Sequence, residues 1–245
     1  MKKVTLDSEE ELPRPAQEAV PGVNRSGPRK AGEATRERML DSAEALFATH
    51  GYHGTSMRDV AEAAGSRIAL VTYHFGSKDT LFSKVVERRA SFMAHQRIQA
   101  LDSARVRAAE GPIPLRDLVA GYVWPFVERS THGGQGWKNY SLLVARIANS
   151  PDWAIVISAH YDAVARQYLA EFRSALPTVS DENVFRAFSF MVGAMLGLVA
   201  EPRRIENLSF GKFKSDNLEH VYETMLPFLV GGFESLAVKR QEVIS

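Results

Sequence analysis

The apolar positions of this chain recur with a helical period over most of its length. Met39, Leu40, Ala43, Leu46 and Phe47 fall at i, i+1, i+4, i+7 and i+8, which gathers them on one face of a first helix that Gly51 ends. Ser56 and Asp59 have the spacing of a capping box, in which a hydroxyl accepts a free first-turn N–H and a carboxylate reaches back. Val60, Ala61 and Ala64 follow as a short buried face, so the pattern predicts a second helix of about two turns stopping at Gly65. A third short segment runs from Ile68 to Phe75, ahead of Gly76. Ser77 then opens a long fourth helix through Leu81, Phe82, Val85 and Val86 to about Leu101.

Gly111, Pro112 and Pro114 interrupt the pattern before Leu115 to about Arg129 restores it, with a kink expected at Pro125. Thr131 to Gly136 reads as a glycine-rich loop. Helices are predicted over Trp137–Asn149, Asp152–Leu176, Ser180 to about Ala200 and Asp216 to about Val238, separated by Pro151, Pro177 and a connection from Pro202 to Lys214. No stretch alternates as a strand would, so the fold class is all-α. Residues 1–32 carry Pro13, Pro15, Pro21 and Pro28 without apolar periodicity and are expected to form a disordered tail. The basic cluster Arg25, Arg29 and Lys30 near its end is either a solvated leader or an arm able to enter a minor groove.

Composition removes several function classes. With no cysteine in 245 residues, thiol catalysis, disulfides and Cys-containing zinc sites are excluded. Lys and Arg number 30 against 29 Asp and Glu, a net charge of +1, so bulk electrostatics does not decide between partners. The apolar stretch Val184–Ala200 is broken by Arg186 and is shorter than the roughly 18–20 residues of a membrane span. Acidic residues from Asp7 to Glu11 stand where an export signal would be apolar, so a cytoplasmic protein with no membrane association is expected. Gly76–Ser77–Lys78–Asp79–Thr80 resembles the end of a phosphate loop but lacks the upstream glycine and strand. The seven histidines form no H-E-x-x-H pair and no G-x-S-x-G elbow occurs. No enzyme, cofactor or metal site is expected.

Two short helices joined by a tight glycine-containing turn suit a major groove roughly 12 Å wide, although helical hairpins also build ordinary bundles. Here the residues decide. The apolar first helix with Phe47, the Gly51–Tyr52 stop, the entry Thr55–Ser56–Met57–Arg58–Asp59–Val60–Ala61, then Ala64–Gly65 and Tyr73–His74–Phe75–Gly76–Ser77–Lys78 together resemble the N-terminal DNA-binding domain of the TetR family of transcriptional repressors. The resemblance implies a helix-turn-helix domain over 33–92 and a helical ligand-binding and dimerisation domain over 93–240. It places recognition on the third helix with support from the second. Ser56 caps the second helix, and Arg58 at its exposed start could fork onto guanine or hold a phosphate. Leu70 and Thr72 face outward, where they could meet base edges, while Tyr73 and His74 suit backbone phosphates. Lys78, beside the free N–H groups that open the fourth helix, also suits a phosphate. The turn departs from the family pattern, because Ser66 and Arg67 stand where an apolar residue and a capping Ser are usual. Either Ser66 caps the third helix one position early or Arg67 lies against phosphate.

The phrases WKNYSLLVARIANSP, FRAFSFMVGAML and LPFLVGGF resemble the C-terminal domain of PsrA-type members. That likeness implies a dimer that binds double-stranded operator DNA and is released by a small hydrophobic effector such as an acyl chain, an acyl-CoA or an aromatic acid. Phe92, His95, Phe126, Tyr140, Arg146, Phe188 and Met191 are the candidate effector contacts, with His95 and Arg146 as polar ends. Gly193, Ala194 and Gly197, with Gly231 and Gly232, would let helices of two subunits approach closely. The competing reading is a helical ligand carrier without sequence-specific DNA binding.

Overall fold

Helix α1 (Ser26–His50) starts seven residues before the expected end of the tail, at the first residue of the 26–148, 150–200 and 204–237 segments that a computed structural model describes. The expected disorder of residues 1–25, with Arg25, lies outside these described residues. Residues 26–32, expected in the tail, are therefore helical. Pro28 occupies the first turn, where a backbone N–H has no intrahelical partner to lose, and Gly32 costs only about 1 kcal/mol relative to alanine.

The chain continues as α2 (Met57–Ala63), α3 (Ile68–Phe75), α4 (Lys78–Ala108), α5 (Leu115–His132), α6 (Gln135–Ile147), a 3-10 turn (Pro151–Trp153), α7 (Ala154–Ala175), α8 (Asp181–Val199), α9 (Arg204–Leu208) and α10 (Leu218–Ala237). Four expectations change. The fourth helix runs seven residues past Leu101 because Ala104 and Ala108 extend its packed face. The expected loop at Thr131–Gly136 shrinks to Gly133 and Gly134. A Cβ on Gly133 would lie 2.4 Å from Trp137 Cδ1, so this glycine permits a close approach, while Gly134 makes the turn with a left-handed φ of +80°. The Pro202–Lys214 connection holds the one-turn helix α9. By length and composition α8 is apolar enough to cross a membrane, contrary to the expectation for Val184–Ala200. Its Val184, Phe188, Met191 and Met195 side is nevertheless buried in the helical core.

Two hydrophobic cores divide along α4, which at 31 residues is about 46 Å long. Leu81, Phe82, Val85, Val86 and Ala90 pack with α1, α2 and α3, whereas Met93, Leu101 and Ala104 belong to the core of α5, α7, α8 and α10. Leu143 and Ile147 of α6 cross into the first core, and Trp153, Val156, Ile157 and Tyr161 pack against it. The N-terminal helices therefore rest on a platform of α6 and α7.

Charge as well as apolar contact ties α1 to α4. The carboxylate of Glu44 is 1% exposed and accepts hydrogen bonds from Arg88 and, at 2.8 Å, from Arg89 Nε. Arg88 Nη1 also reaches Asp41 at 2.9 Å and Glu37 at 3.1 Å. Glu44→Ala is expected to lower the unfolding free energy by about 2–3 kcal/mol, less than the loss from a fully buried pair because both arginines can turn toward water. Urea denaturation followed by circular dichroism measures it.

Candidate functional site

The α2–α3–α4 segment is set by its three joints. Ser56 and Asp59 form the expected capping box: Asp59 N–H donates to Ser56 Oγ at 3.2 Å, and Ser56 N–H donates to Asp59 Oδ2 at 2.8 Å. The Ser56 backbone N–H first, and the Ser56 side chain second, hold the Asp59 carboxyl below its ordinary range. At the other end of α2, Gly65 with φ +61° donates to Glu62 O and Ser66 N–H donates to Ala61 O at 2.8 Å, a Schellman ending that only a left-handed residue completes cheaply. Ser66 is thus consumed in ending α2, and Arg67 is the N-cap of α3 without a side-chain capping bond. Gly76 (φ +69°, ψ −76°) closes α3 in a tight γ-turn, in which Ser77 N–H donates to Phe75 O at 2.8 Å. Ser77 Oγ then accepts from Thr80 N–H to cap α4.

These joints fix which side of α3 is free. Val71 and Phe75 are buried, at 0% and 4% exposure, so Leu70, Thr72 and Tyr73 must point away from the domain. Tyr73 is 82% exposed. Arg58 and Arg67 are exposed on the same unit, at the start of α2 and the start of α3, and His74 is half-buried with its ring edge-on to Tyr73. Lys78 is not a free arm, for its ammonium lies 4.1 Å from the centre of the Tyr52 ring. The Tyr52 hydroxyl donates to Asp79 Oδ1. Across Tyr52 and Phe82 lies Trp153 of the 3-10 turn, with ring centres 4.7 and 4.3 Å away.

The second candidate site is a cavity of about 150 Å³ in the C-terminal core, between α4, α5, α6, α7 and α8. Of the effector residues read from the sequence, Phe126 and Phe188 line it. Tyr140 is fully buried behind it, its hydroxyl bonded to that of Tyr161, which does line it. The other four are elsewhere. Met191 lines a groove between α8 and α10, and His95 is exposed. Phe92 packs on the Trp137 ring beneath the Arg129 guanidinium. Arg146 donates to Thr49 O at 3.1 Å, bracing α6 against the end of α1. The charged groups at the cavity wall are Arg97 and Asp162.

Residues 39–85 match the model of "Bacterial regulatory proteins, tetR family", and residues 120–232 match that of the "Tetracyclin repressor-like, C-terminal domain". The chain belongs to the TetR family. Among curated relatives, the HTH-type transcriptional repressor AcnR of Corynebacterium glutamicum is 37% identical over 60 residues, covering 24% of this chain and 32% of AcnR. The HTH-type transcriptional dual regulator CecR of Shigella flexneri is 28% identical over 148 residues, 59% of this chain and 62% of CecR. The chain thus spans from about a third to just under two thirds of the curated relatives it matches first. The solved SmeT–triclosan complex shares the fold at a TM-score of 0.55 with 21% identity, over 81% of this chain and 91% of SmeT.

Within this TetR fold the sequence reading missed Arg97, Tyr161 and Trp153. Arg97 left one signal, because it interrupts the otherwise apolar α4 series Ala90, Met93, Leu101 and Ala104 at a buried position. Trp153 left none, since its partners are about 70 and 100 residues earlier in the chain and only the tertiary fold brings them together.

The hydrogen bond to Asp79 first, and burial second, push the Tyr52 phenol up to about 12. A raised folded-state value means that this interaction's contribution to stability is complete below pH 10 and is lost as pH rises from 10 to about 12. The stability difference between the native protein and Tyr52→Phe should therefore be constant up to about pH 9.5 and shrink above it. Urea midpoints taken across that range check this, with NMR titration of the Tyr52 ring as the site-specific readout.

Proposed function

We propose that this TetR-family protein is a homodimeric repressor that works on operator DNA in the cytoplasm and leaves it when a small hydrophobic effector occupies the C-terminal cavity. The observation that carries the DNA-binding part is α3: eight residues, capped at both ends by sharp turns, with Val71 and Phe75 anchored and Leu70, Thr72 and Tyr73 projecting. At about 12 Å long it fits lengthwise in a major groove. Arg58, Arg67, His74 and Lys78 surround it with groups suited to phosphate or guanine, and Ser56 keeps Arg58 at a capped helix start.

The dimer is supported by α8 and α10. Phe190 and Phe228 are 72% and 76% exposed beside glycines at 193, 197, 231 and 232 that meet nothing around them. An apolar strip of that kind, on helices buried along their other side, suits a bundle of two helices from each subunit. SmeT, whose fold this chain shares, was solved with triclosan, and that supports a small apolar molecule in the C-terminal domain here.

Neither Phe92 nor His95 touches the cavity, so the route from it to α3 runs through α7. Ile157 and Tyr161 line the cavity and also pack against the first core, and Trp153 sits one turn earlier on Tyr52 and Phe82. A ligand that displaces the start of α7 would move Trp153, and with it the Tyr52–Lys78–Asp79 group that follows the recognition helix. The ligand must favour the DNA-incompetent arrangement by about 1–3 kcal/mol to weaken operator binding roughly 5–150-fold.

Light scattering should give about twice the 27.2 kDa chain mass. A genomic duplex recovered with the protein should bind with a steep salt dependence, whereas a helical ligand carrier would show no such binding. Arg58→Ala is expected to cost about 1–3 kcal/mol on that duplex and less on random DNA; equal losses would place Arg58 on phosphate. Trp153→Ala should leave effector affinity within about threefold while cutting the effector-induced loss of DNA affinity to a small fraction of the native effect, read by fluorescence anisotropy.

A further inference from the structure

We propose that the C-terminal cavity is built for a small monocarboxylic acid, with an apolar body about the size of one aromatic ring and its carboxylate seated on Arg97. This rests on reading the cavity as the effector site. It adds the charge, size and orientation of the ligand.

The charge follows from Arg97. Its side chain is 3% exposed and lines the cavity. Its Nε donates to Tyr122 O at 2.9 Å, its Nη2 lies 3.4 Å from Met195 Sδ, and its guanidinium stands 3.8 Å from the centre of the Tyr122 ring. A carbonyl, a thioether and an aromatic face all favour a cation, but none carries a formal negative charge. Among the described residues Arg97 has no carboxylate in an ion pair. The same chain shows the alternative in Glu44, a buried charge paired with two arginines. A buried guanidinium without a counter-ion is costly, and its remaining N–H groups have the planar fork that fits a carboxylate with two parallel bonds.

A second donor stands at the same wall. The hydroxyls of Tyr140 and Tyr161 are bonded to each other, and that one bond uses only one of their two hydrogens. Burial raises the titration of both phenols, so both stay protonated at neutral pH and one hydrogen remains to donate. Orientation follows from Asp162, the other charged group on the wall, which already accepts from Ser158 Oγ and Arg166. It would repel an anion, so the acid head belongs at the Arg97 end. Size follows from volume: about 150 Å³ is the size of engineered cavities that take benzene, far too small for a coenzyme A nucleotide. Phe126, Val144, Phe188 and Leu196 supply the apolar wall.

Calorimetric titration of the full chain with benzoate and its neutral analogue benzamide, and with octanoate and octanol, tests the proposal. The acids should bind about 10–100-fold more tightly than their neutral partners. Arg97→Met should erase that preference while keeping the affinity for benzamide and octanol, and Arg97→Lys should restore part of it. Retention of the acid preference in Arg97→Met overturns the proposal. So does equal binding of acid and neutral analogue by the native protein, which would leave the effector cavity standing. Binding of none of the four overturns both the cavity reading and the acid. If circular dichroism shows Arg97→Met unfolded, the native acid-to-neutral ratio and its reduction in Arg97→Lys decide the question, an unchanged ratio counting against Arg97.

Discussion

Helix α4 is shared by two hydrophobic cores, and most of what this protein can do follows from that constraint. Residues from Leu81 to Ala90 are buried with the helices that carry α3, while Met93 to Ala104 are buried with those that surround the cavity. A close-packed interior does not deform continuously, so a change on one side must be met by a shift of the shared helix or of the elements clamped across it. Glu44, held by Arg88 and Arg89, fixes the N-terminal half of α4 to α1 by charge. Arg97, on the next stretch of the same helix, faces the cavity from the other core.

The contact of α6 and the start of α7 with the N-terminal core makes this more than a hinge. Leu143 and Ile147 are buried in that core, and Arg146 braces the end of α1 through Thr49 O. Trp153 lies on Phe82 and Tyr52, and Tyr52 in turn holds Asp79 by a hydrogen bond and Lys78 by its ring face. The first turn of α4, where the chain leaves the recognition helix, is thus packed against a segment that also walls the cavity. Helix α4 and the α6–α7 platform thus each contact both hydrophobic cores.

Buried charge is treated in two ways in one molecule. Around Glu44, opposite charges and hydrogen bonds are matched, and the cluster serves stability. Around Arg97 the neighbours are a carbonyl, a sulfur and an aromatic ring, which hold the side chain in place without neutralising it. The difference between matched and unmatched charge is what underlies the proposed role of Arg97 in binding.

The helix-turn-helix unit was legible because its determinants are local. A capping box, a left-handed glycine and a period-3.6 apolar face act within one or two turns, so Ser56, Asp59, Gly65 and the Ile68–Phe75 span could be read in order along the chain. Where local rules compete, they misled: the prolines up to Pro28 suggested a tail, yet Pro28 fits the first turn of α1, and Ser66, one of two candidates to start α3, ends α2. The cavity was not legible beyond its composition. Phe126 and Phe188 are 62 residues apart in the chain, and a run of aromatic and methionine residues does not reveal which face each other across a void. By itself the sequence determined the all-α class, the order of helices and the recognition unit. Only the tertiary structure decided that Met191 lies in the α8–α10 groove, that Arg146 is a brace, and that Arg97 is buried against a carbonyl, a sulfur and an aromatic ring, because each depends on contacts between elements that no local spacing encodes.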